Sequence, residues 1–221
     1  MRISTASIIA VLGVPVAIAQ AGPVLFGFEG VGRGRNINIS VAGEESRVFA
    51  GSVMHSVEGA LLSTYCIEPD QNAQLGVANF ERVTLAGGLL IRSEAAAKSN
   101  LLAELADIAG ESIWTTSADR TLAAAFQVAT WEIVSDFDSS LGAASFDFSA
   151  GDFRGWGNDK VFKTAGMLLS KLQFDRADAS GYNAYLNDTA QDFMSLEVPA
   201  PGVFALAAVG IPTVLGRRRR R

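Results

Sequence analysis

Ile37-Asn38-Ile39-Ser40-Val41-Ala42-Gly43-Glu44-Glu45-Ser46-Arg47-Val48 decides how this chain begins to fold. Ile37, Ile39 and Val41 alternate with polar residues, the signature of a strand with one face buried. The turn-prone Gly43 to Ser46 follows, and alternation resumes from Val48 to Val57, which predicts a hairpin around residue 44. The period of two reaches back to Leu25 and forward to Glu68. Leu61 to Glu68, rich in Thr, Tyr, Cys and Ile, reads as a further strand that delivers Cys66 near its end.

Beyond Pro69 and Asp70 the period changes. Leu85, Leu89, Leu90, Leu101, Leu102, Leu105 and Ile108 recur at helical spacing until Gly110. Asp119 is placed to cap a helix from Arg120 to about Val134, in which Leu122, Phe126, Ala129 and Ile133 share one face and Gln127 lies beside it. Ser139 to Asn158 reads as a long loop with one short strand at Ala144 to Phe148. A helix from Asp159 to Phe174 and an extended return from Asp192 to Val198 complete the pattern. The expectation is a single α+β domain: an antiparallel β-sheet or sandwich with a helical insertion and further helices packed on it.

The ends differ from this body. Residues 1–21 read as a signal peptide, with Arg2, the apolar stretch Ile8 to Ile18, and Ala19-Gln20-Ala21 as a small-x-small cleavage site for a signal peptidase. Residues 198–221 hold Val198-Pro199-Ala200-Pro201, the apolar stretch Val203 to Leu215, and Arg217 to Arg221. As a helix, those 13 residues, interrupted by Gly210 and Pro212, cover about 20 Å of a hydrocarbon core of roughly 30 Å, which suits a transient tether to the inner membrane. This tail resembles the PEP-CTERM sorting signal of Gram-negative bacteria that make exopolysaccharide, with Ala200 where the motif has Glu. The resemblance implies recognition by an exosortase-type enzyme. The expected location is the cell envelope surface or the extracellular matrix.

Residues 22–197 then form one domain. Arg2 and the five terminal arginines account for six of the 18 basic residues, while all 23 acidic residues lie in the body, leaving it 12 against 23, a net −11. Nucleic acid is excluded as a partner on that balance. No metal-ligand spacing, phosphate loop or dinucleotide fingerprint occurs, so neither a metal nor a cofactor is expected.

The chain has one cysteine. An exported protein with a lone Cys has no internal disulfide partner, which leaves a buried inert thiol, an intermolecular disulfide, a nucleophile, or another covalent bond within the chain. Two strings bear on the choice: Tyr65-Cys66-Ile67-Glu68 and Ala125-Phe126-Gln127-Val128-Ala129-Thr130-Trp131-Glu132-Ile133. They resemble the two halves of the Cys-Gln thioester domain of bacterial surface adhesins. Phe126 stands where that family has Thr, and Thr130 where it has an aliphatic residue.

The resemblance implies that the Cys66 sulfur attacks the side-chain amide of Gln127, ammonia leaves, and an internal thioester remains for one reaction with an amine on a target. Such a chain is not an enzyme, because nothing turns over. Trp131, one helical turn beyond Gln127, is a candidate shield for the bond, and Tyr65, Glu68 and Glu132 are candidate supporting groups. The partner classes are a protein amine or an exopolysaccharide matrix. Two other functions fit the residues: a structural matrix protein of the same fold without the bond, and a hydrolase pairing Cys66 with His55, the one histidine.

Overall fold

The long hairpin forms in the computed structural model as β1 (Gly22–Val41) and β2 (Glu44–Val57). The structure describes residues 22–197 except Ala177. The expected signal peptide with Ala19 and Ala21, and the sorting tail with Val198, Pro199, Ala200 and Pro201, lie outside the described residues. Among the described residues no helix is long and apolar enough to cross a membrane.

The hairpin turn is Ala42-Gly43, with φ of 49° and 90°, joining Val41 to its partner Glu44. Two successive positive φ values match the right-handed twist of the flanking strands. The expected turn at Gly43 to Ser46 is thus corrected toward the N-terminus by about two residues. Glu44 and Glu45 belong to the ladder instead. Farther back the hairpin bends, with register shifts between Phe28 and Gly30 and between Val31 and Gly34. Gly34 and Gly51 face each other there, and a Cβ on Gly51 would lie 2.2 Å from the Arg33 carbonyl oxygen.

That bend lets one strand serve two partners. The first half of β1 pairs with β4 (Val77–Thr84), and its far end pairs with β5 (Phe153–Trp156). With β3 (Ala60–Cys66), β6 (Tyr182–Leu186) and β7 (Phe193–Leu196), every strand pair is antiparallel. The order β1-β2-β3-β7-β6-β4 returns to β1, so six strands close into a ring and β5 extends one side. The expected sheet is therefore a small barrel. Phe26 of β1 meets His55 of β2 at 4.1 Å, Phe80 of β4 at 4.5 Å, Tyr185 of β6 at 4.7 Å and Phe193 of β7 at 5.8 Å. Rings from non-adjacent strands touch only by filling the interior.

The helices are α1 (Leu85–Gly88), α2 (Ala95–Ala109), α3 (Arg120–Asp136) and α4 (Asp159–Leu169). Asp119 caps α3 as expected, its carboxylate accepting the Thr121 and Leu122 N–H groups at 2.8 and 2.9 Å. From Ala123 to Val134 every residue of α3 is buried, not one face alone. The helix is enclosed by β1, β2 and β3 on one side and by α2, α4 and β5 on the others, and Ala123 to Ala125 permit the close approach. Its C-terminal end receives Lys98 of α2, whose buried Nζ donates to the Val134 carbonyl at 3.0 Å.

Two expected boundaries move. The segment 144–148 contains no strand; Gly142–Ser145 form a 3-10 turn, and the pairing residues are Phe153–Trp156. The last helix stops at Leu169 instead of Phe174. The buried Glu104 carboxylate of α2 accepts the Gln173 and Phe174 N–H groups and pulls the chain away from helical geometry.

Candidate functional site

β3 presents Tyr65 and Cys66 at its C-terminal end, where β7 pairs through Met194 and Phe193. Tyr65 is an anchor. Its ring sits edge-on to Trp114 and Phe126, and its hydroxyl donates to the Ile113 carbonyl at 2.9 Å. Phe126 is thus part of the wall that fixes β3 against α3.

One residue along each element, Cys66 and Gln127 meet. The Cys66 N–H donates to Gln127 Oε1 at 3.0 Å, and Gln127 Nε2 donates to the Cys66 carbonyl at 2.7 Å. The carboxamide is clamped at both ends against the peptide groups of the residue that carries the sulfur. Both residues are almost fully enclosed, 3 % and 1 % exposed. A buried amide needs these partners, and a strand end is where backbone N–H and C=O groups are left open for them.

The sulfur is equally well held. It accepts the Glu68 N–H at 3.2 Å and the Trp131 indole N–H at 3.3 Å, and its own proton reaches the Glu68 carbonyl at 3.2 Å. Burial pushes the Cys66 thiol up to about 12, against the opposing pull of the Trp131 and Glu68 N–H groups. Trp131 therefore touches Cys66 through its indole nitrogen, and the Phe153 ring lies behind it at 5.9 Å.

The supporting carboxylates separate. Glu68 stays at the site: Arg92 lies 3.9 Å from one oxygen, and the other oxygen is buried without a hydrogen-bond partner. Burial first, and Asp70 next, raise its pKa above the ordinary carboxylate value. Glu132 faces the long loop instead and accepts the Asp147 N–H at 2.6 Å. Burial pushes Glu132 up to about 8. It pins the loop that brings Phe153 behind Trp131, together with Asp136, which accepts the Asp152 and Phe153 N–H groups at 2.7 and 2.9 Å.

His55 lies inside the barrel. Its ring stacks on Phe26, meets Phe193 edge-on at 4.6 Å, and its Nδ1 is 2.8 Å from Thr64 Oγ1. Burial lowers it to about 3, so it is neutral at physiological pH. Its hydrogen bond goes to Thr64 and not to Cys66.

Comparison of the chain with known protein families, curated proteins and solved structures finds no match. The geometry stands on its own. Among the described residues no cluster of three or more His, Cys, Asp or Glu is arranged to hold a metal ion.

Above the pair opens a cleft of about 630 Å³, bordered by Pro69, Asp70, Asn72 and Gln191 on one side and by Val48 and Phe49 of the hairpin on the other. Arg92, Gln191 and Asp192 carry no sequence signal that would have selected them. Gln191 Nε2 donates to the Glu68 and Gln71 carbonyls at 3.2 and 2.9 Å, tying down the turn after Cys66. Asp192, pushed up to about 7 by burial, lies close enough to raise the thiol further.

Proposed function

We propose that Cys66 and Gln127 form an internal thioester and that the chain is an exported surface or matrix protein that uses it for covalent attachment to an amine. The observation that carries this reading is the two-ended clamp of the Gln127 carboxamide on the Cys66 peptide groups. A thiol and an unactivated amide do not react at neutral pH when free. Fixed orientation can supply ~7–11 kcal/mol of the barrier, and here it comes from a barrel strand and an enclosed helix, both rigid elements.

Each group has a matching role. As the Cys66 sulfur attacks Cδ of Gln127, the carbonyl oxygen gathers charge toward the Cys66 N–H that it already accepts. The S–C bond forms, the C–N bond breaks, and the thiol proton leaves with the nitrogen as ammonia. When a target amine later attacks the acyl carbon, the N–C bond forms and the sulfur departs. The Glu68 and Trp131 N–H groups receive the developing thiolate, which then takes the surplus proton of the amine. A thiol pushed up to about 12 is a poor leaving group, so the bond resists water until a nucleophile is held in the cleft.

Intact mass spectrometry of the natively purified chain tests this. The expected mass is one ammonia below the sequence mass, and methylamine removes the deficit while exposing one titratable thiol. A full sequence mass, with no amine captured by wild type or by Cys66→Ala, overturns the thioester and leaves a scaffold of the same fold.

A further inference from the structure

A second cleft of the described chain lies away from Cys66, where β5 and the loop before it face α4. It is an open cleft of about 850 Å³, near the upper end of ordinary ligand sites at ~300–1,000 Å³. Four aromatic rings line it. Trp156 is 41 % exposed, and Phe146, Phe148 and Phe162 are half-buried, with Phe148 and Phe162 edge-on at 5.4 Å. Polar groups alternate with the rings. Asp147, held ionised by the Ser149 hydroxyl and N–H, lies between Phe146 and Phe148, and Arg154 precedes Trp156 by two residues.

Two features keep this cleft open. Gly155 permits the Phe162 ring to lie against the backbone of β5, since a Cβ there would fall 2.5 Å from it. Gly166, inside α4, borders the cleft, and a Cβ built on it would meet nothing within 4 Å. Glycine within a helix is destabilising relative to alanine. At Gly166 the stability is given up where the side chain would fill the cleft.

We propose that this cleft binds a neutral oligosaccharide. Aromatic faces cover the C–H faces of sugar rings, while carboxylate and guanidinium groups accept from and donate to ring hydroxyls. The charge of the lining, Glu45 and Asp147 against Arg154, disfavours a polyanion. An added peptide strand is blocked, because the outer edge of β5 is already used: Gly155 N–H donates to the Phe148 carbonyl at 3.0 Å. Recognition therefore runs through ring faces and side chains.

The test is titration of the full chain with a panel of neutral hexasaccharides of glucose, xylose and mannose, and with a sulfated hexasaccharide and an unstructured peptide for comparison, followed by intrinsic fluorescence and calorimetry. The neutral probes carry no amine, so the result is independent of the thioester. At least one of them is expected to bind and to shift Trp156 emission. Gly166→Leu is expected to weaken binding at least tenfold without lowering the thermal midpoint, and Trp156→Ala to weaken it similarly. No binding by any of the panel overturns the proposal. So does binding that is equal in wild type and both variants, or a preference for sulfated glycans or for peptides.

Discussion

Replacing Trp131 by Phe removes one N–H donor from the Cys66 sulfur and keeps an aromatic ring on α3. In the structure that donor is 3.3 Å from Sγ and is one of two N–H groups on it, the other being Glu68 N–H at 3.2 Å. A hydrogen bond to a charged group contributes about 1.5–3 kcal/mol, so losing it from the departing thiolate of the proposed thioester is expected to slow aminolysis by roughly 10- to 150-fold. Trp131 is also 3 % exposed and packed on Phe153. The smaller ring therefore costs a few kcal/mol of stability as well, on the order of other large-to-small core changes. Two readouts separate these effects. Methylamine capture, followed by intact mass, gives the aminolysis rate at a temperature where the variant is folded. Alkylation of the released thiol at fixed pH then reports thiolate content. Loss of Trp131 N–H raises the thiol further, so alkylation slows in step with aminolysis. Wild-type rates in both assays, in a variant of lowered thermal midpoint, would show that Trp131 only fills space and would refute the role of the indole N–H.

The barrel and the loop give two predictions of pH dependence. Glu132 stays neutral up to about 8 in the folded chain, against an ordinary value near 4.5 when unfolded; unfolding therefore releases its proton, and stability falls as pH rises between those values. The loss is on the order of 4 kcal/mol. Glu132→Gln keeps an acceptor for the Asp147 N–H, so its thermal midpoint is expected to match wild type near pH 5 and exceed it at pH 8; equal slopes from pH 5 to 8 would count against a buried neutral carboxyl. His55 is held down to about 3, so protonation of the unfolded chain weakens the fold as pH drops below about 6.5. His55→Phe, placed among Phe26 and Phe193, is expected to flatten that acid decline and leave methylamine capture unchanged. A loss of capture with the fold intact would return His55 to the chemistry.

What could be read from the sequence was local. The alternation through Ile37, Ile39 and Val41, the Asp119 cap and the helix that follows it each depend on neighbours in the chain, and each forms. The two strings around Cys66 and Gln127 were legible for the same reason, although nothing local specified the clamp between them. β4 escaped notice because only Phe80 is fully buried in it, and the leucines that follow dominate the pattern with a helical period. β6 hides behind Asn183, a buried polar residue in a five-residue strand. Ring closure depends on Gly22 pairing with Arg82 and Tyr182 with Leu196, pairings no window of sequence contains. α4 is cut short by Glu104, some 65 residues earlier, and the site loses Glu132 to the loop for a similar reason. On a helix buried all round, i and i+1 serve different neighbours.

The position of β7 bears on how the molecule carries load. This strand is bonded on both sides, to β6 and to β3, and its partner residues on β3 are Tyr65 and Cys66. A pull on the chain beyond Leu196 runs along β7 and stresses those hydrogen bonds together in shear, instead of opening them one after another. Ile67 N–H adds a further rung to the Asp192 carbonyl at 2.9 Å. Tension reaches Cys66 within a single strand pair, and Gln127 is held to that same residue at both ends of its amide. A force applied at one end of the chain and the bond proposed at Gln127 are thus mechanically in series through one strand pair and one clamped amide, with the long loop and α4 off the path.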